Sequence, residues 1–212
     1  MDWPLAERLR FSGRAVELEP MSEDHVSDLW DAAQNAADSW RYLRYGPFTS
    51  EIEFRNCIRE LASRRDQPFW IARPVRTNRA EGWLSLCDIY PADGAIEIGS
   101  IWFSPRLQRT RASTEAVFLL MTYALDVLGY NRLAWRCNAE NTQSLKAAHR
   151  YGFTFEGTWR SAALIKGRQI DLAWHSLLAH EWPERRAAIA EWLNDDNFDE
   201  AGLARTQILR AR

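Results

Sequence analysis

The sequence predicts an α/β domain whose sheet mixes hairpins with helical crossovers, on three observations. Stretches such as "AVELE" at residues 15–19 alternate apolar and polar side chains, the period of a half-buried strand. The turn "PADG" at residues 91–94 separates two apolar runs and so joins them as a hairpin. Residues 113–128 are apolar almost all round (Val117, Leu120, Met121, Ala124, Leu128), which marks a helix covered on most sides between two strands.

Val16 and Leu18 share one face of the first strand, and Pro20 ends it. Ser22 is placed to cap a helix in which Val26, Leu29 and Ala33 recur at helical spacing. "SWRYLRYGPFTS", residues 39–50, is aromatic and basic and is broken by Gly46-Pro47, so it reads as a loop. Thr49 or Ser50 caps a second helix through "EIEFRNCIRELASRR". Three strands follow, "PFWIARPV", "EGWLSLCDIY" and "AIEIGSIWF". The covered helix comes next, and Gly129 stops it. "RLAWRCN" is a short strand, residues 141–151 a helix, residues 153–159 a strand and "QIDLAWHSLL" the last strand. After Pro183, "ERRAAIAEWL" reads as a helix and "NDDNFDEAG" as an acidic turn. The predicted order is β-α-α-β-β-β-α-β-α-β-β.

A chain of 212 residues suits one domain with a sizeable core and room for a terminal extension. A net charge of −2 argues against a nucleic-acid surface, which needs a broad basic face. Cys57, Cys87 and Cys137 are odd in number and lack a C-x-x-C spacing, which suits reduced thiols in the cytoplasm. "MDWPLAERLRF" has no basic segment leading into an apolar run, so no signal peptide is expected. No stretch approaches the roughly 18 apolar residues of a membrane span. His25, His149, His175 and His180 do not pair at metal-ligand spacing, so no metal site is read. The eleven tryptophans have two readings: core packing, or a pocket for an apolar or aromatic substrate.

Two stretches carry chemistry. "LQRTRASTEA", residues 107–116, puts Arg109 and Arg111 just ahead of the long helix. Cations beside a helix N-terminus are unfavourable by ~0.3–1 kcal/mol each, and a bound anion would reverse that balance. Gln108, Arg109, Thr110, Arg111, Ala112 and Ser113 offer amides, guanidinium forks and hydroxyls at a strand–loop–helix junction, an arrangement suited to phosphate. Solvated arginines on an exposed loop are the alternative. Glu115 in the first turn is ordinary dipole chemistry and is expected to face away from any phosphate. In "NAENTQSLKAAHRYGFTFEG", Asn141 is placed to cap a helix, with Ser144 one turn in on the same side. Capping alone would also account for this second stretch.

Together the two stretches resemble the GNAT superfamily of acyl-CoA-dependent N-acetyltransferases, and most closely its RimJ/RimL-type branch of ribosomal-protein and small-amine acetyltransferases. The resemblance covers about residues 10–182 and includes element order. Its motifs are "EIG" and "WFSP" on the strand before the loop, "TEA" and "LGY" at the ends of the long helix, "N-x-x-S…YGF…EG", and the closing "GRQIDLAWHSLLAHEWP". It implies the GNAT fold, a mixed, mostly antiparallel central sheet flanked by helices on both faces. The acetyltransferase domain would occupy residues 10–182, with a C-terminal helical extension at 183–212. The chain departs from the family's Q/R-x-x-G-x-G/A phosphate loop, because Arg111 and Ser113 stand where glycine or alanine is usual.

The resemblance implies acetyl transfer from acetyl-CoA, the cosubstrate, to a small-molecule amine or a peptide N-terminus, by direct attack on the thioester. The pyrophosphate would lie against Gln108, Arg109, Thr110, Arg111, Ala112, Ser113 and Thr114. The backbone of Ile101, Trp102 and Phe103 would line the acyl arm, with one N–H polarising the carbonyl. Asn141 would hold the pantetheine arm and Ser144 would meet the leaving thiolate, whose thiol has a pKa of about 8.5. Tyr151, at the far end of that helix, is the weaker stand-in. Glu97 is the candidate base; it alternates with Gly99, Ile101 and Phe103, and half-burial among apolar neighbours would strengthen it. An edge-strand surface carboxylate is the plain alternative, and Asp88 on the neighbouring strand is the reserve. The amine is expected between Trp40, Tyr42, Tyr45 and Phe48 on one side and a loop at 161–169 carrying Lys166 and Arg168 on the other. The competing reading is a non-catalytic acyl-CoA binder or sensor on the same fold. No nucleic-acid or membrane partner is expected, and a homodimer is left open.

Overall fold

A computed structural model describes residues 2–208. Its strands are β1 (Phe11–Ser12), β2 (Val16–Pro20), β3 (Phe69–Pro74), β4 (Gly82–Tyr90), β5 (Ala95–Phe103), β6 (Arg132–Asn138), β7 (Thr154–Ile165) and β8 (Arg168–Leu178). Its helices are α1 (Val26–Ala33), α2 (Glu51–Ser63), α3 (Arg111–Thr122), α4 (Thr142–Arg150) and α5 (Trp182–Trp192). The eight strands run in the order β1-β2-β3-β4-β5-β6-β8-β7. β5 and β6 pair in parallel, whereas β1–β2, β2–β3, β3–β4, β6–β8 and β7–β8 are antiparallel. This is the mixed, mostly antiparallel α/β sheet that was expected.

Three elements differ from the sequence reading. β1 is only two residues long, too short to show a period. The expected loop at 161–169 is instead the end of a long hairpin: β7 continues to Ile165 and turns at Lys166-Gly167. β7 is exposed on both faces over most of its length, so no apolar alternation marks it. The long helix starts at Arg111 rather than Ser113 and finishes in a π-helical turn, Tyr123–Val127, before Gly129 at φ 72°.

The chain falls into two compact units that divide within β5. One, Ala6–Ile89 with Gly99–Leu119, is built round aromatic rings. Trp40 stacks on Trp102 at 4.4 Å and 13°, and Trp83 lies 4.7 Å from Trp102. Phe54, Phe69, Leu29 and Ile58 close the cluster. The indole N–H groups of Trp102 and Trp83 donate to Ser39 Oγ and Tyr45 Oη, so the rings are buried without orphaned donors. Core packing is thus the role of these three tryptophans.

Glu115 departs from its expected part in the helix dipole. It is buried, and its carboxylate accepts the amides of Arg14 (2.9 Å) and Ala15 (2.6 Å) in the turn between β1 and β2, and of Val16 (3.0 Å), the first residue of β2. Gly13 makes room, since a Cβ there would stand 2.5 Å from that carboxyl. Glu115→Ala would strand three amide donors, and we expect a loss of roughly 3 kcal/mol in denaturant unfolding. Glu115→Gln should lose less, because it keeps an acceptor. A loss below about 1 kcal/mol for the alanine variant would show that water replaces the clamp.

The other unit takes the N-terminal residues through Leu5, Tyr90–Ile98 and the chain from Leu120 onward. α5 is tied into it: Trp182 Nε1 donates to Asp126 (2.8 Å), Arg186 pairs with Asp126 (2.9 Å), and Arg150 lies over the Trp192 ring. α5 is therefore packed on this unit. Among the described residues, no helix is long and apolar enough to cross a membrane. Nor does any group of three or more His, Cys, Asp or Glu stand where it could hold a metal ion.

Candidate active site

β6 organises the chemistry of its unit because its two faces carry different groups. On the β5 side, the register runs Ala95↔Arg132, Ile96↔Leu133 and Glu97↔Ala134 and stops there. On the β8 side, pairing covers all of β6, including Arg136↔Trp174. Side chains alternate across a strand, so Glu97, Arg136 and Trp174 share one face. Glu97 is 4% exposed, and Arg136 Nε stands 3.4 Å from its Oε2. The guanidinium also lies over the Trp174 ring at 4.9 Å, and the exposed Trp159 packs against Trp174 with ring centroids 4.5 Å apart and a tilt of 42°. Glu97 is therefore not half-buried among apolar neighbours, as expected, but fully buried with a cation beside it. That cation offsets part of the cost of burying the carboxylate. The cause is register: Arg136 comes two residues after the partner of Glu97.

The opposite face of β6 presents Trp135 and Cys137 to α4. Asn141 Oδ1 accepts the Ser144 amide at 3.1 Å, so Asn141 caps α4 as its sequence suggested. Ser144 Oγ accepts from Trp135 Nε1 at 3.0 Å. The Cys137 thiol also feels this hydroxyl. Burial pushes that thiol's pKa up; the Ser144 hydroxyl opposes the rise, and Glu97 adds to it. Tyr151 is buried, with its ring 6.0 Å from that of Trp135, and belongs to the packing.

In the other unit, the loop before α3 forms a reciprocal cap. Thr110 Oγ1 accepts the Ser113 amide (3.1 Å), and Ser113 Oγ accepts the Thr110 amide (3.2 Å). Gln108 Nε2 donates to the Phe103 carbonyl at 2.8 Å. Thr114 is buried and its hydroxyl donates back to the Thr110 carbonyl, so its side chain is occupied within the helix. Ala112 is buried, Arg109 is exposed, and Arg109 has φ 64°. The left-handed turn that glycine would ordinarily supply is thus made at Arg109. Arg111 is the first residue of α3, not ahead of it.

Beyond Glu97, β5 is not regular. Ser100 has φ 50°, which interrupts the alternation expected for Glu97, Gly99, Ile101 and Phe103. Buried Gln67 holds this kink, donating to Ser85 Oγ and Ser100 Oγ at 2.9 Å each, while Ser85 donates to the Gly99 carbonyl. Of the residues expected to line the acyl arm, Trp102 has its side chain in the aromatic core; Ile101 and Phe103 are half-buried. Asp88 is half-buried at φ 42°.

The aromatic loop expected to receive the amine is corrected in part. Trp40 is 1% exposed within the core. Tyr45 packs on that core, and burial raises its phenol pKa. Trp40 ends a 3-10 turn at residues 37–40 with its indole buried, and the Tyr45 hydroxyl accepts the Trp83 indole N–H, so both serve packing. Tyr42 is half-buried beside Arg41. Lys166 and Arg168 are exposed at the β7–β8 turn. Sequence reasoning missed Arg136, Trp135, Cys137, Trp174 and Gln67. The alternation of "RLAWRCN" sorts Trp135 and Cys137 from Arg136, but only the pairing of β6 with its neighbours says what each face meets.

Comparison with known proteins gives the family. The family model for the acetyltransferase (GNAT) domain matches residues 15–154. The chain is similar to a GCN5-related N-acetyltransferase from Brucella melitensis, with 38% identity, a TM-score of 0.95, and coverage of 98% of this chain and 95% of that one. It is 29% identical to an uncharacterized N-acetyltransferase, p20, of Bacillus licheniformis, over 82% of this chain and 95% of that protein. A third likeness is to a Salmonella typhimurium acetyl transferase that modifies the N-terminal serine of ribosomal protein L7/L12. There the identity is 25% and the TM-score 0.67, over 78% of this chain and 96% of that one. The chain belongs to the GNAT acetyltransferase family and is an acetyl-CoA-dependent N-acetyltransferase.

Proposed function

We propose that the acceptor is the N-terminal amine of a peptide or protein, with Glu97 taking the amine's proton and Ser144 facing the departing sulfur. The observation that carries this reading is the division of labour on β6: a carboxylate–arginine pair on one face, a hydroxyl relay on the other, and β5 pairing that ends at Glu97↔Ala134. An acyl donor at that edge could meet an amine on the Glu97 face and release its thiol on the Ser144 face. Acetyl-CoA supplies an acetyl thioester activated enough for direct attack. The protein's part is to orient both reactants, which can be worth ~7–11 kcal/mol, and to move one proton. Trp159, Trp174 and Arg136 give the Glu97 face an aromatic and cationic ledge, suited to the carbonyl and side chain that follow an N-terminal amine. The Salmonella relative's substrate agrees with a peptide acceptor.

The coenzyme's phosphates are assigned to the cap of α3, where the helix dipole favours an anion and Arg109 and Arg111 add charge. The departure from glycine is compatible with this, because Arg111 and Ser113 lie in the first turn of α3 and neither has a positive φ. The test is free-thiol release from acetyl-CoA against a panel of small amines and N-terminal peptides. Peptides should show kcat/KM at least about tenfold above the small amines, a difference of one well-made contact. Small amines turning over equally well would overturn the peptide assignment. Thermal stabilisation by acetyl-CoA with no turnover on any acceptor would point to a binder. Replacing Arg109 and Arg111 together by alanine should weaken coenzyme A roughly tenfold or more, the scale of losing charge-assisted hydrogen bonds. Unchanged affinity would mean that both arginines are merely solvated.

A further inference from the structure

We infer that Trp135 is a positioning residue for thiol release: its indole N–H fixes which way the Ser144 hydroxyl can donate. The inference rests on the proposed placement of Ser144 beside the departing sulfur. A serine hydroxyl rotates to suit its surroundings and can give or take a hydrogen bond, whereas an indole N–H can only give one. Trp135 Nε1 stands 3.0 Å from Ser144 Oγ and therefore occupies a lone pair of that oxygen. The Ser144 hydrogen must then point to another acceptor.

Nothing in this pair is loose. Trp135 is buried, with its ring against Tyr151 at 6.0 Å and Phe153 at 5.6 Å. The Ser144 backbone is held from the other side by Asn141 Oδ1, which accepts its amide at 3.1 Å. The Cys137 thiol is the neighbour whose charged form the hydroxyl favours; burial pushes its pKa up, and a thiol is a weak acceptor. A thiolate accepts far more strongly. Sulfur that acquires charge next to Ser144 should draw the hydroxyl hydrogen to itself, with Trp135 holding the oxygen in place.

In the step itself, the amine nitrogen forms the new C–N bond and the C–S bond breaks, its electron pair staying on sulfur. Ser144 lends the developing thiolate a hydrogen bond and keeps its own proton; the thiolate is protonated from water afterwards. The stabilisation required is modest because a thiol of pKa about 8.5 leaves readily, so the expected effect is also modest.

The experiment is a double-mutant cycle on the full-length protein, read as single-turnover rate with acetyl-CoA and the best acceptor from the panel. Trp135→Phe should lower the rate about tenfold and move the KM for acetyl-CoA less than about twofold, and Ser144→Ala should lower it at least as much. In the Ser144→Ala background, Trp135→Phe should have no further effect, a coupling that a purely packing role would not produce. Additive losses, or a loss confined to KM, would overturn the inference. An unchanged rate for Trp135→Phe while Ser144→Ala is slow would overturn the inference alone. An unchanged rate for Ser144→Ala would remove the proposed placement of Ser144 and the inference with it. If Trp135→Phe folds poorly, 3-benzothienylalanine at position 135 keeps the indole's shape and removes only the N–H, with the same outcomes expected.

Discussion

Glu97→Gln is expected to lower turnover at least tenfold, and toward the 10²-fold that general-base help typically contributes, while leaving coenzyme A affinity nearly unchanged. The substitution keeps the side chain's shape in a site that is 4% exposed, so the packing of β5 against β6 should survive it. What it removes is the group able to accept a proton from the amine. It also leaves Arg136 without its carboxylate partner, but that guanidinium side chain is 29% exposed and already rests on the Trp174 ring, so it keeps access to solvent and a cation–π contact. A defect arising only from the broken ion pair would therefore be small. Turnover and calorimetric coenzyme A binding together separate the two effects. Unchanged turnover would remove Glu97 as the base and turn attention to Asp88 on β4. Equal losses in turnover and coenzyme A affinity would mean that the variant disturbed the sheet edge instead of the proton transfer.

How much of this site could be read in advance depends on distance along the chain. β5 and β6 are found to the residue in "AIEIGSIWF" and "RLAWRCN", because each is an apolar run bounded by a turn or an abrupt change to polar residues. Asn141 as the cap of α4 was equally legible, since capping depends on four neighbouring residues. Arg136 beside Glu97 was not: the two are far apart in sequence and meet through a parallel register that no local pattern specifies. Glu115 was misread for the same reason, because the amides it holds are about a hundred residues away, at Arg14 to Val16. Trp40 and Tyr45 misled in the other direction. Their surroundings are basic and broken by Gly46-Pro47, which describes a loop correctly but says nothing of rings that turn inward from it. Local chemistry was readable wherever its partner lay within a few residues, and pairing across the sheet was needed for the rest.

Trp102→Ala is expected to destabilise the protein by about 3–5 kcal/mol, the range for deleting a large aromatic side chain from a packed core. Trp102 is 1% exposed and occupies the middle of the stack, 4.4 Å from Trp40 and 4.7 Å from Trp83, so removing it opens a cavity bordered by two rings that cannot both close in. Its N–H bond to Ser39 is lost as well. For a chain of this length each kcal/mol moves the midpoint by roughly 2–4 °C, so the melting temperature should fall by roughly 6–20 °C. Trp102→Phe keeps most of the stacked surface and gives up the N–H, and should cost about 1–2 kcal/mol. The difference between the two variants measures ring packing separately from the hydrogen bond. Trp102 also sits on the stretch of β5 proposed to offer its backbone to the acyl arm, so the alanine variant should weaken coenzyme A binding at temperatures where it is still folded. If Trp102→Ala unfolds within about 1.5 kcal/mol of the parent, the neighbouring rings refill the space and the stack does not hold this part of β5 in place.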